Sequence, residues 1–362
     1  ALAHNGNLRN AADLKTQLAA EGVRLQSTMD SELFVAHVAR SRARCFADAI
    51  RDAAQAVVGS YSLTMCCDGR LYGLRDPHGL RPLVIGVLPG RPAGYVIASE
   101  TCALDAISAQ LVREVAPGEL VEVGPQGIVS TPLLPPSPQP APCMFELIYF
   151  SRPDSVVFGI GAQRVRMEMG RELARQDRDL PPPDLVVPIP DSGVAAATGY
   201  AHESGVPFEM ALLRSHFVGR SFLLPNQDAR RHALTLKLSV VAESVAGKRI
   251  VLIDDSLVRG NTARLVAELL RERGAKEVWL RLASPPIVWP CHLGIDMAST
   301  DELLFHSCQV EASRHVPPRD PLSVLGQKLG VESVRYLSQA GLRRATQERS
   351  FCLGCMTGEY PT

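Results

Sequence analysis

The sequence predicts an α+β domain up to residue 131, then an α/β domain with a mostly parallel sheet. Three observations carry this. Beyond residue 143, short β-branched apolar runs alternate with helical stripes, the βαβ pattern of a parallel sheet. Before residue 131, helical stripes come first and short strands follow, punctuated by Gly and Pro, as in an antiparallel sheet packed on helices. Between them lies PLLPPSPQPAP at 132–142, which suits neither a helix interior nor a central strand and reads as a proline-rich linker. The expected division is 1–131, linker 132–142, a second domain over 143–305 and a C-terminal extension over 306–362.

In the first domain, residues 10–21, 30–40 and 45–57 carry helical spacing. Residues 59–65, 70–73, 82–87, 95–98 and 120–123 read as strands, and Ser99 to Asp105 as a helix start. In the second, a strand over 184–189 leads into a helix over 194–203, then a strand over 208–213. A polar, basic stretch over 214–238 is long for a loop and is expected to form a lid carrying Arg214, Arg220, Arg230, Arg231 and Lys237. A strand–loop–helix over 249–273 and a strand over 277–282 follow. Short helices are expected at 322–329 and 343–349, and no assignment is made within 305–330 beyond the first of these.

Composition narrows the function. Two sizeable cores fit within 362 residues. Lys+Arg and Asp+Glu balance at 38 each, which argues against a nucleic-acid or membrane surface binder. Only 5% of residues are aromatic, too few for a single-strand stacking platform. No apolar run reaches bilayer length. Nine irregularly spaced cysteines do not form a secreted disulfide framework, so a reducing, cytoplasmic setting is expected.

The most informative stretch is RIVLIDDSLVRGNTARLVAELLRER, residues 249–273. Ile250, Val251, Leu252 and Ile253 form a buried strand. Asp254 and Asp255 follow where the strand leaves the sheet, the edge at which open α/β sheets bind ligands. Ser256, Arg259, Gly260, Asn261 and Thr262 then lead into a helix, whose free N–H groups suit a phosphate. Two carboxylates beside a phosphate site need an explanation, and a ribose supplies one: its 2- and 3-hydroxyls donate to the acids while its 5-phosphate sits in the loop. Pro190-Asp191-Ser192-Gly193, between another strand and helix, offers N–H groups to a second phosphate group.

Together these segments resemble the type I phosphoribosyltransferases. His4-Asn5-Gly6-Asn7-Leu8, Arg75-Asp76-Pro77-His78-Gly79-Leu80-Arg81-Pro82 and Ser99-Glu100-Thr101-Cys102-Ala103-Leu104-Asp105 resemble, in this order, the N-terminal-nucleophile (Ntn) glutaminase domain of the glutamine phosphoribosyl pyrophosphate (PRPP) amidotransferases. The resemblance implies that Asp191, Ser192, Gly193, Asp254, Asp255, Ser256, Arg259, Gly260, Asn261 and Thr262 bind PRPP. It implies Mg²⁺ held through Ser192, Asp254 and Asp255, with Asp254 and Asp255 as the catalytic pair. In the other domain it implies Asn5 and Gly6 as an oxyanion hole, Asp30 on the glutamine α-amino group, and an internal ammonia channel. The expected reaction turns PRPP, glutamine or ammonia, and water into 5-phosphoribosylamine, glutamate and pyrophosphate, the committed step of de novo purine synthesis. The family's N-terminal Cys nucleophile is not at residue 1, which is Ala. The expectation is an N-terminally incomplete amidotransferase domain without glutaminase activity. Other departures are His216 and Phe217 on the lid, Thr235, and Asn261 in place of a threonine.

Cys352 and Cys355 form a Cys-x-x-Cys pair, which by itself is compatible with redox, zinc or inert roles. The segments CMFELIYFSRPDS, SPPIVWPCHLGID and FCLGCMTGEYPT resemble those of the iron–sulfur class. That implies a structural [4Fe–4S] cluster on Cys143, Cys291, Cys352 and Cys355, with zinc on the same quartet as the rival. Cys45, Cys66, Cys67 and Cys102 read as small buried residues. Purine nucleotide inhibitors and a homo-oligomer are further implications. A PRPP-binding regulator without catalysis is the alternative, since the fold alone does not require turnover. A salvage transferase leaves residues 1–131 without a purpose.

Overall fold

The computed structural model describes residues 1–90, 94–215, 238–297 and 299–361. The chain forms two compact units. One comprises Ala1–Ala162, Pro290–Ala298 and Ser350–Thr362; the other comprises Gln163–Trp289 and Ser299–Arg349.

In the first unit, β1 (Leu2–Leu8), β2 (Gly59–Cys67), β3 (Arg70–Arg75), β7 (Glu119–Gly124) and β8 (Gly127–Pro132) form an antiparallel sheet in the order β1-β2-β3-β7-β8. A smaller sheet has β4 (Val84–Leu88) between β5 (Gly94–Ala98) and β6 (Gln110–Glu114). The helices Ala11–Ala20, Asp30–Arg40 and Phe46–Ala56 lay Leu14, Leu18, Leu33, Phe34 and Ile50 against Tyr61, Leu63, Met65 and Leu74 of the large sheet. This is the expected packing of helices on an antiparallel sheet, with β6 and β8 as strands the periodicity did not mark. Two minor strands, β9 (Val156–Val157) and β10 (Ile160–Gly161), pair as a hairpin.

The proline-rich segment is not a free connector. Leu133 and Leu134 are buried and donate their N–H groups to the Gly118 carbonyl, and Ser137 N–H donates to the Pro77 carbonyl. The prolines remove donors, but the remaining N–H groups find partners on the turn Arg75–Pro82. The segment is thus part of the first unit, and the division falls instead at Ala162. Four cysteines also differ from expectation: Cys45 and Cys66 are exposed, and Cys67 and Cys102 partly so. The tail of β2 and a helix N-terminus leave the core there.

In the second unit, β11 (Leu185–Pro188), β14 (Arg249–Asp254), β15 (Glu277–Leu282) and β16 (Ser333–Tyr336) form a fully parallel sheet in that order. Its middle strands are buried on both faces, which explains their unbroken apolar runs. The expected strand over 208–213 shrinks to a bridge at Phe208 and β12 (Leu212–Arg214), which pairs with β13 (Leu238–Val240). Of the expected lid, Arg214 and Ser215 are described, while Arg220, Arg230, Arg231, Thr235 and Lys237 lie outside the described residues. The helix expected over 322–329 is present as Pro321–Leu329, and the stretch left unassigned forms the helix Leu304–Arg314; together they bury Phe305, Cys308, Ala312, Val324, Leu325 and Leu329 in the core of the parallel sheet. The C-terminal extension is therefore not one body: β16 completes the second unit's sheet, and residues 350–362 belong to the first unit. The helix expected over 343–349 lies instead at Gln339–Ala345, and a short helix, Gly354–Thr357, follows it.

The helices Ala162–Gln176 and Val194–Ser204 cross at glycines. A Cβ on Gly170 would sit 1.9 Å from the Ala196 carbonyl oxygen, and one on Gly199 1.8 Å from that of Met167. Asp177 accepts from the Tyr200 hydroxyl at 2.8 Å and pairs with Arg281 and, at 2.9 Å, with Arg335. That network ties the second helix to β15 and β16, and so holds the loop that precedes it.

Candidate functional site

Strands β11 and β14 are hydrogen-bonded neighbours running the same way. Their carboxyl ends therefore deliver Pro190-Asp191-Ser192-Gly193 and Asp254-Asp255 side by side. Ser192 Oγ donates to Asp254 Oδ1 at 3.0 Å across the two loops. The Pro190–Asp191 peptide is cis. Gly193 is required by close approach, because a Cβ there would lie 2.3 Å from the Ile253 carbonyl oxygen. Arg214 reaches back from β12 to Asp191, with Nη1 2.8 Å from Oδ2.

Asp254 and Asp255 are 8% and 6% exposed. The Asp255 N–H donates to Asp254 Oδ1 at 2.9 Å, and Ser256 Oγ donates to Asp255 Oδ2 at 2.6 Å. Burial, and then the neighbouring Asp255 charge, hold the Asp254 carboxyl well above the usual carboxylate range. Such a pair gains from any cation or hydroxyl donor placed above it. Gly260 caps the helix Asn261–Glu272, and Asn261 and Thr262 are exposed at its first turn. The first-turn N–H groups there have no intrahelical acceptor, as an anion site requires. The Arg259 guanidinium pairs with Glu302.

The expected glutamine-site residues gather in the first unit. Gly6 has φ +149 and its Cβ position is filled by the Ser60 carbonyl oxygen at 2.1 Å. Asn5 Oδ1 accepts from Arg81 Nε at 3.0 Å. Asp30 lies 3.3 Å from His4 Nδ1 through one oxygen, and accepts from the Leu8 N–H at 2.9 Å through the other. Burial raises the Asp30 pKa, but the hydrogen bonds from His4 and Leu8 outweigh it, leaving the carboxyl below its ordinary value. The turn Arg75–Pro82, which reads as an ordinary tight turn, is a buried charged knot. Arg75 donates to the carbonyls of Arg81, Val115 and Gly79 at 2.9, 2.8 and 2.8 Å. Asp76 accepts the N–H groups of Tyr61, His78 and Leu80. Two arginines and an aspartate within eight residues were the available signal for this knot.

All four cysteines of the quartet lie in the first unit, because residues 290–298 and 350–362 return to it. Cys143 and Cys352 sit on neighbouring backbones, with the Cys352 N–H donating to the Pro142 carbonyl at 2.8 Å. Cys291 Sγ accepts from the Leu293 N–H at 3.3 Å. Tyr360 hydrogen-bonds the Pro290 carbonyl and fills the space beside Gly354, linking the two returning segments. Burial pushes the Cys143 thiol up to about 12 and that of Cys352 to about 11, with neighbouring cysteines adding to the rise. Cys355 is raised well above its ordinary value, by burial and then by Cys143, Cys291 and Cys352. Among the described residues, no group of three or more His, Cys, Asp or Glu is gathered to hold a single metal ion.

Comparisons with known proteins agree with this architecture. Residues 1–106 match the glutamine amidotransferase domain family, and residues 165–282 match the phosphoribosyl transferase domain family. The amidophosphoribosyltransferase of Archaeoglobus fulgidus is 40% identical over 367 residues, covering 100% of this chain and 76% of that protein. That of Synechococcus elongatus is 41% identical, covering 100% and 71%. The solved glutamine PRPP amidotransferase of B. subtilis, complexed with ADP and GMP, superposes with a TM-score of 0.87 at 38% identity, covering 100% of this chain and 77% of that one. A second structure, described as the allosteric regulatory enzyme of purine biosynthesis, gives 0.88 at 38% identity, covering 100% and 75%. With an amidotransferase-type first unit, a phosphoribosyltransferase-type second unit and relatives matched over its whole length, the chain belongs to the amidophosphoribosyltransferases, enzymes of purine biosynthesis.

Proposed function

We propose that the paired loops of the second unit bind PRPP and direct ammonia to its anomeric carbon. The supporting observation is the Ser192–Asp254 hydrogen bond at 3.0 Å, which joins the two loops at the carboxyl edge of adjacent parallel strands. The ribose hydroxyls donate to Asp254 and Asp255, and the 5-phosphate takes the N–H groups at Asn261 and Thr262. The pyrophosphate lies on the N–H groups of Asp191 and Ser192, while Gly193, whose own N–H is donated to the Ile189 carbonyl at 2.9 Å, lets the loop approach the strand. As the bond to pyrophosphate breaks, positive charge builds on the ribose, and the buried acids stabilise it through a low-dielectric surround. Ammonia adds at the face opposite the departing pyrophosphate and loses a proton, giving 5-phosphoribosylamine. Ser192, Asp254 and Asp255 offer the hard oxygen donors that Mg²⁺ prefers, and bound Mg²⁺ neutralises charge on the pyrophosphate. Arg214 supplies a further cation at the open side of the loop, since it already reaches Asp191.

The first unit is read as the ammonia-producing side, with Asn5 and Gly6 stabilising the oxyanion and Asp30 holding the glutamine α-amino group. The cysteine quartet is read as a [4Fe–4S] site with a structural role. Its buried thiols are unfavourable as isolated thiolates and are satisfied by a cationic group that takes them as ligands. Purine nucleotide inhibition is extended to this chain from the ADP and GMP of the B. subtilis relative.

The test is pyrophosphate release from PRPP with Mg²⁺ and ammonia, in the native chain and in a doubly substituted Asp254→Asn, Asp255→Asn protein. The expected loss is about 10³-fold or more. Turnover unchanged by the double substitution would defeat the assignment. PRPP binding without any release by the native chain would point to a regulatory module instead.

A further inference from the structure

Residues 290–298 return to the first unit and come to rest on β1, the strand that carries Asn5 and Gly6. Three successive residues make the seat. Asn7 Nδ2 donates to the His292 carbonyl at 3.0 Å, Ser60 Oγ donates to the Leu293 carbonyl at 2.9 Å, and Gly294 lies against the Gly6 backbone. The last is a close approach. A Cβ on Gly294 would lie 2.8 Å from the Gly6 carbonyl carbon and 2.9 Å from its Cα, and the Gly294 φ of +96 already favours glycine. Ser60 is buried, and its Oγ also accepts the Asn7 N–H at 3.2 Å, so one hydroxyl ties β1 and β2 to the returning segment. That segment is itself anchored: Leu293, Ile295 and Met297 are buried, and the Cys291 N–H donates to the Met297 carbonyl at 2.8 Å. The quartet gives Cys291 a purpose but does not explain three contacts in a row on β1.

β1 stands at the edge of its sheet and pairs with β2 alone. Its central residue for glutamine, Gly6, has the least restricted backbone of any residue type. An oxyanion site nevertheless works only when its donors are fixed before the charge develops, and held to within about half an ångström. Pairing along one edge therefore needs a second support, and the returning segment is placed to give it. We propose that Gly294 is a positioning residue. Packed on the Gly6 backbone, and held there by the His292 and Leu293 carbonyls that Asn7 and Ser60 engage, it fixes Asn5 and Gly6 as paired donors to the γ-carbonyl of glutamine. Only glycine allows the approach, because any side chain at 294 would push the Gly6–Asn7 peptide away. This rests on the oxyanion reading of Asn5 and Gly6 given above.

The test is L-glutamine binding, measured by calorimetry beside a thermal melt, in the native chain, in Gly294→Ala, in Asn5→Ala and in the protein carrying both substitutions. Expected is binding about tenfold weaker in each single variant, the factor for losing one hydrogen bond to the substrate. The double variant should bind no more weakly than Asn5→Ala, since two residues acting on one contact are not additive. A Gly294→Ala protein that melts earlier yet binds glutamine as the native chain does overturns the positioning role and leaves a glycine needed for packing alone. Losses that multiply in the double variant overturn action through Asn5. If Gly294→Ala does not fold, Asn7→Ala carries the decision, because it removes the bond to His292 without a clash. It should weaken glutamine about threefold, again with no further loss beside Asn5→Ala, and native affinity there overturns the proposal. Failure of the oxyanion reading is seen separately, as no glutamine binding by the native chain or as affinity unchanged by Asn5→Ala, and either result overturns the proposal with it.

Discussion

The carboxyl edge of the parallel sheet and the cysteine quartet are assembled in opposite ways. The first is built from two loops, each the direct continuation of its own strand, and strand pairing alone brings Ser192 to Asp254. Its order is local, and its charges are left uncompensated: two carboxylates with little exposure and a bare helix start. The quartet draws on residues 143, 291, 352 and 355, in segments that return to the first unit from far along the chain. Its environment is tied, through Tyr360 to Pro290 and Cys352 to Pro142, yet burial makes the thiolates of Cys143, Cys352 and Cys355 unfavourable. On the proposed function, each region tolerates an unfavourable group because something bound satisfies it. On that reading, what satisfies the loops comes and goes with turnover, whereas loss of what satisfies the quartet removes a cross-link among three segments.

The largest effect should come from breaking the quartet. Cys143→Ser should abolish stoichiometric iron and acid-labile sulfide and lower unfolding free energy by roughly 5 kcal/mol, since a bound inorganic group contributes its binding energy to the fold. Guanidinium unfolding with iron and sulfide analysis measures both. Stability equal to that of the native protein would make the quartet a passive feature.

A smaller effect should follow at the loops. Gly193→Ala places a methyl 2.3 Å from the Ile253 carbonyl oxygen, so the loop must leave the strand. A cost of about 2 kcal/mol is expected, with PRPP affinity weakened about tenfold in calorimetry. Cysteine-site iron content should not change, which separates the two regions.

The smallest effect has the opposite sign. Asp254 carries a folded-state pKa above its unfolded value, so the folded state binds its proton more tightly. Stability is greatest below the unfolded pKa and declines as pH rises from there through the folded value. Asp254→Asn should remove that decline and raise stability at neutral pH, while turnover is lost. Thermal melts from acidic to neutral pH test it. A native protein whose stability does not fall over that range would mean that Asp254 is not strained by burial.

Local pattern determined a great deal here. The β-branched run 250–253, the paired acids after it and the helical stripe beyond were enough to place the loop after Asp255 at the end of a parallel strand, because adjacency in sequence and adjacency at the sheet edge coincide. The three N-terminal helices followed from their apolar spacing for the same reason. The four cysteines were visible as residues, and family resemblance grouped them. What only tertiary structure decided is where the distant segments go. Residues 290–298 and 350–362 leave one unit for the other, the proline-rich segment lies down on the Arg75–Pro82 turn, and Arg81 ends between Asn5 and Glu146. Periodicity reports which face of an element is apolar; it carries no information on which remote backbone will satisfy a buried guanidinium.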